Sequence, residues 1–176
     1  MPWLQVDNLR LALQYGGLIA ATTQPALFAF LAGENVWHRP PPVLRDHLIA
    51  IGALLAPAIE TVITHHLNTG KPLIIEGDGI APALFARAAL HDAVATRRLR
   101  GAFLTTTTAH RRANMAARGE RASTPGSGTA RRAGEAMNAL YDAWIGGGAA
   151  RYGVPLVAAQ PRATLPDRIS DTLGLA

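Results

Sequence analysis

The sequence predicts an α/β fold built on a parallel sheet. Short apolar runs with β-branched residues alternate with segments of helical periodicity, and parallel strands need such crossover helices between them. Polar residues directly follow two of the apolar runs, which is where parallel sheets bind their ligands. Because a chain of 176 residues suits one core, we expect a single domain over residues 1–176.

The first half of the chain alternates twice between strand and helix. Asp7 stands at the N-cap position of the first helix, and apolar residues at spacings of three and four mark a long second helix that Gly70 ends. Pro57 lies inside that helix and should kink it. The predicted elements are a strand at 3–6, a helix at 8–15, a short helix at 26–31, a long helix at 43–67 and a strand at 73–75.

The second half continues the alternation after a helix that Pro82 opens. A polar run at 123–129 is either a flexible connection or the tip of a mobile lid. The predicted elements are a helix at 82–90, a strand at 101–105, an arginine-rich helix at 109–118, a loop at 119–128, a helix at 130–145, a strand at 154–158 and a last helix from Thr164 toward Leu173.

The charge of the chain comes almost wholly from arginine. The formal net charge is +5, Lys71 is the single lysine, and ten arginines lie between Arg87 and Arg132. An alanine- and arginine-rich composition explains part of this excess without any function. Clustered guanidinium groups also suit phosphate, because each offers a rigid bidentate donor fork. A phosphate-bearing partner is therefore expected.

Composition and the N-terminus predict a cytoplasmic protein without a membrane span. The chain has no cysteine, which excludes disulfides, zinc–cysteine sites and cysteine nucleophiles. The longest nearly uncharged helical stretch, His47 to Ile59, is shorter than the roughly 18 residues that a span needs. The N-terminal residues lack the basic and apolar regions of a secretory signal.

Acidic residues follow two of the predicted strands. Asp7 follows the first strand, and Glu76 and Asp78 follow the second within Glu76-Gly77-Asp78-Gly79. Such acids can hold hydrated magnesium or orient a substrate hydroxyl, and the glycines let a ligand approach the backbone. Asp7 could equally be a plain helix cap. The second segment could be a tight turn, but we favour a functional site because a turn alone does not require two acids.

Five segments of the sequence together resemble a known family. They are W-L-Q-V-D-N-L-R at 3–10, P-L-I-I-E-G-D-G-I at 72–80, R-A-N-M-A-A-R-G-E at 112–120, a long helix with Tyr141 and Trp144, and Y-G-V-P-L-V at 152–157. This succession resembles small-molecule P-loop kinases of the nucleoside-monophosphate-kinase-like group, which include 2-phosphoglycerate-kinase-like ATP-binding proteins. The resemblance spans Trp3 to Ile169. It implies a three-layer parallel sheet of the P-loop kinase type, ATP and Mg²⁺ as cofactors, and a small-molecule phosphate acceptor.

The resemblance also implies roles for individual residues. Asp7, Glu76 and Asp78 would be catalytic acids that face substrate or magnesium, with Asp78 as the metal contact. Arg10 would bind an anionic group of the substrate. A lid at about 109–132 would close over the transferring phosphates and stabilise their charge. Its arginines are Arg112 and Arg118, which the resemblance assigns to catalysis, and Arg111 and Arg121, which it assigns to the nucleotide.

One part of the family pattern does not occur in these residues. The Walker A motif G-x-x-x-x-G-K-[ST] is missing, and the only lysine lies in Gly70-Lys71-Pro72. We therefore expect a truncated kinase chain, from a misassigned start or a shortened gene, that is inactive or incomplete by itself. In the family order the missing first strand is central. Four parallel strands are thus expected near 3–6, 73–76, 100–105 and 154–158, and the second and third either pair directly or leave an open gap.

The alternative function is nucleic-acid binding by the basic region from Arg97 to Arg132. That region contains Phe103 and His110 but no tyrosine or tryptophan, so it offers few platforms on which bases could stack. We therefore favour the kinase relation, with a nucleotide and a small-molecule acceptor as partners and with neither membrane nor nucleic acid.

Overall fold

A computed structural model describes residues 1–17, 19–31, 34–118 and 128–175 of the chain. Short 3₁₀ helices at Pro25–Phe28, Glu34–His38, Pro82–Ala86, Ala88–Leu90 and Arg162–Thr164 connect the longer elements. Those elements are β1 Trp3–Gln5, α1 Val6–Tyr15, α2 Pro41–Thr69, β2 Ile74–Glu76, α3 His91–Ala95, β3 Phe103–Thr105, α4 Thr108–Arg118, α5 Gly128–Tyr152, β4 Leu156–Ala158 and α6 Leu165–Leu173.

The four described strands form two separate parallel pairs. In the first sheet β1 pairs with β2, and Trp3 lies opposite Ile74. In the second sheet β3 pairs with β4, and Phe103 lies opposite Leu156. Strands β2 and β3 belong to different sheets and are not hydrogen-bonded to each other. The four strands lie at the positions expected from the sequence.

The predicted three-layer sheet of the P-loop kinase type is wrong. The structure is 66% helical, and its only described sheets are these two pairs of strands. Each strand is three residues long, so its ladder contributes few hydrogen bonds. A two-stranded sheet is marginal by itself and needs packing against helices. Apolar runs therefore located the strands correctly, but they did not determine how many strands join into one sheet.

Helix α2 supplies the largest share of the core. Its buried residues recur at intervals of four, at Ile51, Leu55, Ile59 and Ile63. They pack with Val6 of α1 and with Leu27, Leu84 and Leu90 from the 3₁₀ segments. The helix continues through Pro57 without a break. Gly70 follows its last residue, and the φ of 66° at Gly70 gives the left-handed C-cap that the sequence predicts. A second cluster, at Val36, Leu44 and Met137, joins α2 to α5.

Helix α2 is also long and apolar enough to cross a membrane by length and composition. An 18-residue window has a mean hydropathy of 1.7, because few charges interrupt the helix beyond the stretch His47 to Ile59. The sequence argument from the shortness of that stretch is therefore wrong. Of the window, 28% is buried inside the structure, and its buried residues belong to the main core. A core helix of a soluble protein passes the same test.

Several predicted element boundaries are also wrong. Asp7 is not the N-cap of α1: the helix begins at Val6, and Asp7 lies in its first turn, where its carboxylate pairs with Arg10. The predicted helix at 82–90 consists of two 3₁₀ helices, separated by the extended backbone of Arg87. Likewise, the helix predicted at 26–31 is the 3₁₀ helix Pro25–Phe28. Helix α5 continues through three consecutive glycines as far as Tyr152.

The core function of α2 predicts the effect of truncating one of its side chains. Leu55 is 1% exposed, so Leu55→Ala should lower the free energy of unfolding by about 2–5 kcal/mol, through lost burial and the cavity that remains. Val43→Ala is the matched control on the same helix. Val43 is 38% exposed, and its truncation should cost less than about 1 kcal/mol. Urea unfolding followed by circular dichroism measures both, and equal losses would contradict this assignment of the core.

Candidate functional site

The turn after β2 packs directly on the first residue of α1. Gly77 has a φ of +149°, which L side chains rarely adopt, and a Cβ at this position would lie 2.8 Å from the Cβ of Val6. A Cβ at Gly79 would lie 2.9 Å from Cγ1 of the same valine. Only glycine permits this close approach at both positions. The turn thereby places Asp78 beside the charged residues of α1.

Four of the predicted site residues form one electrostatic group, which we call the acid cluster: Asp7, Arg10, Glu76 and Asp78. Arg10 Nη2 lies 3.0 Å from Asp7 Oδ1, one helical turn apart on α1. Burial raises the pKa of the Asp78 carboxyl above its ordinary value, and the charge of Asp7 raises it further. The charge of Arg10 and a backbone hydrogen bond lower this pKa, and Glu76 raises it slightly. Asp78 is therefore protonated more readily than an ordinary aspartate, although the residue is exposed.

The guanidinium of Arg10 retains a hydrogen-bonding capacity that its ion pair does not use. Its Nε atom is buried and has no hydrogen-bond partner among the described residues, and the side chain is 24% exposed. A buried donor without a partner is costly. An anion that reached Arg10 would remove this cost, so Arg10 can act as the anion-binding group of the cluster.

Asp78, to which the resemblance assigns a metal contact, lies in a cluster that already holds a fixed cation, Arg10. Among the described residues, no group of three or more His, Asp or Glu side chains could hold a metal ion. The positive charge in this cluster is the guanidinium of Arg10, which pairs with Asp7 and acts on Asp78. A divalent cation here would meet this fixed cation and a carboxyl whose ionisation burial disfavours. Magnesium that arrives with a nucleotide needs only one or two protein carboxylates, so the role of Asp78 as a metal contact stays a prediction.

Tyr141 contacts the acid cluster from helix α5. Its hydroxyl donates a hydrogen bond to the backbone carbonyl of Asp78, and its ring stacks on Trp144 with the centroids 5.5 Å apart. Burial raises the pKa of the Tyr141 hydroxyl, and the charges of Asp78 and Asp142 raise it further. The hydroxyl therefore remains a protonated donor at neutral pH.

The arginines predicted for a lid lie partly outside the cluster and partly outside the described residues. Arg111 forms an ion pair with Asp142 of α5, and Arg112 Nε lies 3.1 Å from Glu135 Oε2 of the same helix. Burial raises the pKa of Asp142, whereas the charge and hydrogen bond of Arg111 lower it. Arg118 is the last residue of α4, and its side chain is not described. Arg121 and the rest of 119–127, the middle of the predicted lid, lie outside the described residues.

Three further arginines of the basic region stabilise helix ends. Arg98 Nη2 donates to the carbonyl of Leu67 at 2.6 Å, near the end of α2. Arg97 and Arg100 both donate to the carbonyl of Leu173, at 3.2 and 2.9 Å, at the end of α6. Cationic side chains at these positions satisfy carbonyls that lack an intrahelical partner. Arg97 and Arg100, together with Phe85, also line a cleft of about 260 Å³. This cleft is separate from the acid cluster.

No family model, no curated protein and no solved structure matches this chain. The functional argument therefore depends on the site itself. Sequence reasoning brought together Asp7, Arg10, Glu76 and Asp78 but assigned no role to Tyr141. The available signal was an aromatic pair three residues apart on one helix, in a chain with only 6% aromatic residues.

The raised pKa of Asp78 predicts how its replacement changes stability with pH. At pH values between the ordinary pKa of aspartate and the raised pKa of Asp78, the folded state binds more protons than the unfolded chain. Ionisation of Asp78 therefore lowers the free energy of unfolding as the pH rises through this interval. Asp78→Asn removes that penalty. The stability of the variant relative to the native protein should therefore increase from about pH 3 to about pH 7.

Urea unfolding across this pH interval measures the effect, and Asp46→Asn is the control. Asp46 is an exposed acid that also pairs with an arginine, Arg45. When the pH profile of Asp46→Asn is subtracted from that of Asp78→Asn, the general effect of deleting a surface carboxylate is removed. The electrostatic coupling described for Asp78 would be contradicted if the free energy of unfolding differed between Asp78→Asn and the native protein by the same amount at every pH.

Proposed function

We propose that this chain binds a small anionic molecule at the acid cluster and acts in ATP-dependent phosphoryl transfer to a hydroxyl of that molecule. One observation carries the proposal: the unsatisfied guanidinium of Arg10 and the desolvated carboxyl of Asp78 converge where β1 and β2 end. This end of a parallel strand pair is the usual position of a ligand. A cation beside a carboxyl of raised pKa suits an acceptor that carries both an anionic group and a hydroxyl.

Each residue of the cluster has a distinct role in the proposed reaction. Arg10 binds the anionic group through its guanidinium, and Asp7 holds the guanidinium in place. Asp78 accepts the proton as the acceptor O–H bond breaks; a carboxylate of raised pKa is a stronger base than an ordinary one. The acceptor oxygen then forms a bond to the γ-phosphorus of ATP, and the bond from that phosphorus to ADP breaks. Burial and the charge of Asp7 raise the pKa of Asp78, and the charge of Glu76 adds a smaller increase.

This chain offers fewer groups for binding the nucleotide than for binding the phosphate acceptor. Its residues contain no Walker A motif, and Arg111 and Arg112 are engaged by acids of α5. ATP and its accompanying Mg²⁺ are therefore the proposed cofactors, but we assign them no protein ligand among the described residues. We expect no measurable ATP turnover by this chain alone, because positioning of the phosphates supplies most of the catalysis. With ATP as donor, we place the protein in the cytoplasm.

Nucleic-acid binding receives less support from the same structure. Arg97, Arg98 and Arg100 donate to helix-end carbonyls, and Arg111 and Arg112 pair with acids. These arginines of the basic region thus already have intramolecular partners. A polymer of phosphates would have to compete with those contacts.

The decisive experiment tests binding of a small anion at Arg10. Titrating the full chain with AMP or 2-phosphoglycerate should shift the amide resonances of Asp7, Arg10 and Asp78 in ¹H–¹⁵N NMR spectra. Arg10→Ala should weaken this binding by about tenfold or more, the worth of a hydrogen bond to a charged group. Arg45→Ala is the matched control, because Arg45 also pairs with a neighbouring aspartate on a helix. It should leave the affinity unchanged.

Three results would contradict the proposal. If neither probe shifts the resonances of the cluster, the site does not bind small phosphates. If oligonucleotides bind tightly, and more tightly with increasing length at physiological salt, the basic region is the functional surface. If the chain alone turns over ATP robustly, it holds the phosphates without a Walker A motif, and the expectation that it is incomplete by itself is wrong.

A further inference from the structure

We infer that Tyr141 is a positioning residue that holds the turn carrying Asp78 in place from helix α5. The inference rests on the proposed function in one respect only, namely that Asp78 is the group whose position matters for chemistry. The contact itself is a hydrogen bond from a side chain on one helix to the backbone carbonyl of an acid 63 residues earlier. Tyr141 therefore acts through the backbone of Asp78 and has no assigned contact with a substrate.

The hydroxyl of Tyr141 is unusual for its place on α5. Tyr141 lies on the face of the helix that also buries Met137, Ile145 and Ala149, and it is 8% exposed. Phenylalanine would supply the same buried ring and the same stack on Trp144. Since burying a hydroxyl without a partner is costly, its presence on this face requires an acceptor. The carbonyl of Asp78 is that acceptor.

Helix α5 is well fixed with respect to the turn. At Gly148 a Cβ would lie 2.9 Å from Cγ of Pro82, so α5 and the 3₁₀ helix that follows the turn are in direct contact. On the other side of the turn, Gly77 and Gly79 press against Val6 of α1. The turn is thus held between α1 and α5, and the Tyr141 hydroxyl is the polar contact from the α5 side.

The charged surroundings of the contact determine what loss of the hydroxyl should do. Asp78 is influenced by Asp7 and Arg10 from α1 and by Glu76 from β2, and Tyr141 is influenced by Asp78 and by Asp142 on its own helix. Without the hydroxyl, the carbonyl of Asp78 must find water. The turn should then shift, and the surroundings of the Asp78 carboxyl should change with it.

The test is Tyr141→Phe in the full chain, with Tyr152→Phe as the matched control. Tyr152 is the last residue of α5 and lines the separate cleft at Arg97 and Arg100. Carbon-detected NMR titration should show the midpoint of the Asp78 carboxyl moving toward its ordinary range in Tyr141→Phe. The amide resonances of residues 77–79 should shift as well. Neither should change in Tyr152→Phe, and AMP affinity should fall in Tyr141→Phe alone.

The outcomes separate this inference from the proposed function. If Tyr141→Phe lowers only the thermal stability, and the midpoint of Asp78 and the resonances of its turn stay unchanged, Tyr141 is an ordinary core residue and the inference is overturned. If the midpoint and the turn resonances change but AMP does not bind the native protein, Tyr141 does position Asp78 while the proposed phosphotransferase site is wrong. Replacement by phenylalanine preserves the ring and its stack, so folding should be retained.

Discussion

Packing of helix α2 against helix α5 is the constraint on which the rest of this structure depends. It is the most extensive contact between two of the described elements. Pairs of three-residue strands cannot hold themselves together in water, so each must be held by the helices beside it. The first pair reaches the core of α2 through Val6, and β3 contacts α5. The relative position of the two sheets therefore follows from the two helices.

The site follows from the same constraint. Because the turn after β2 contacts α1 at Val6 and α5 at Tyr141, the Asp78 carboxyl is partly desolvated while Asp7 and Arg10 remain close to it, and the residue keeps an exposed surface. The chemistry proposed for this site thus depends on close backbone approach at Gly77 and Gly79 as much as on the acids themselves.

Local patterns in the sequence were sufficient for some features and insufficient for others. Apolar, β-branched runs located the strands, and the recurrence of Leu44, Ile51, Leu55 and Ile59 located α2, since these signals depend on neighbouring residues only. Strand position after an apolar run also singled out Asp7 and Asp78, and the structure places them close enough for their charges to interact. The number of strands that join into one sheet depends on pairing between distant segments, and hydrophobic periodicity carries no information about that pairing. Tyr141 was missed for the same reason, because its partner lies 63 residues away.

The arginines show most clearly why clustering along a sequence differs from clustering in space. The basic region from Arg97 to Arg132 indicated a phosphate-binding surface, but Arg97, Arg98 and Arg100 complete helix ends. Arg111 and Arg112 are paired with acids of α5. A guanidinium that is already hydrogen-bonded gains less from a new anion than one whose donor is buried and unsatisfied. Arg10, outside the basic region, has such a donor. The argument for phosphate recognition therefore moves from the most basic segment of the chain to a single arginine beside two aspartates.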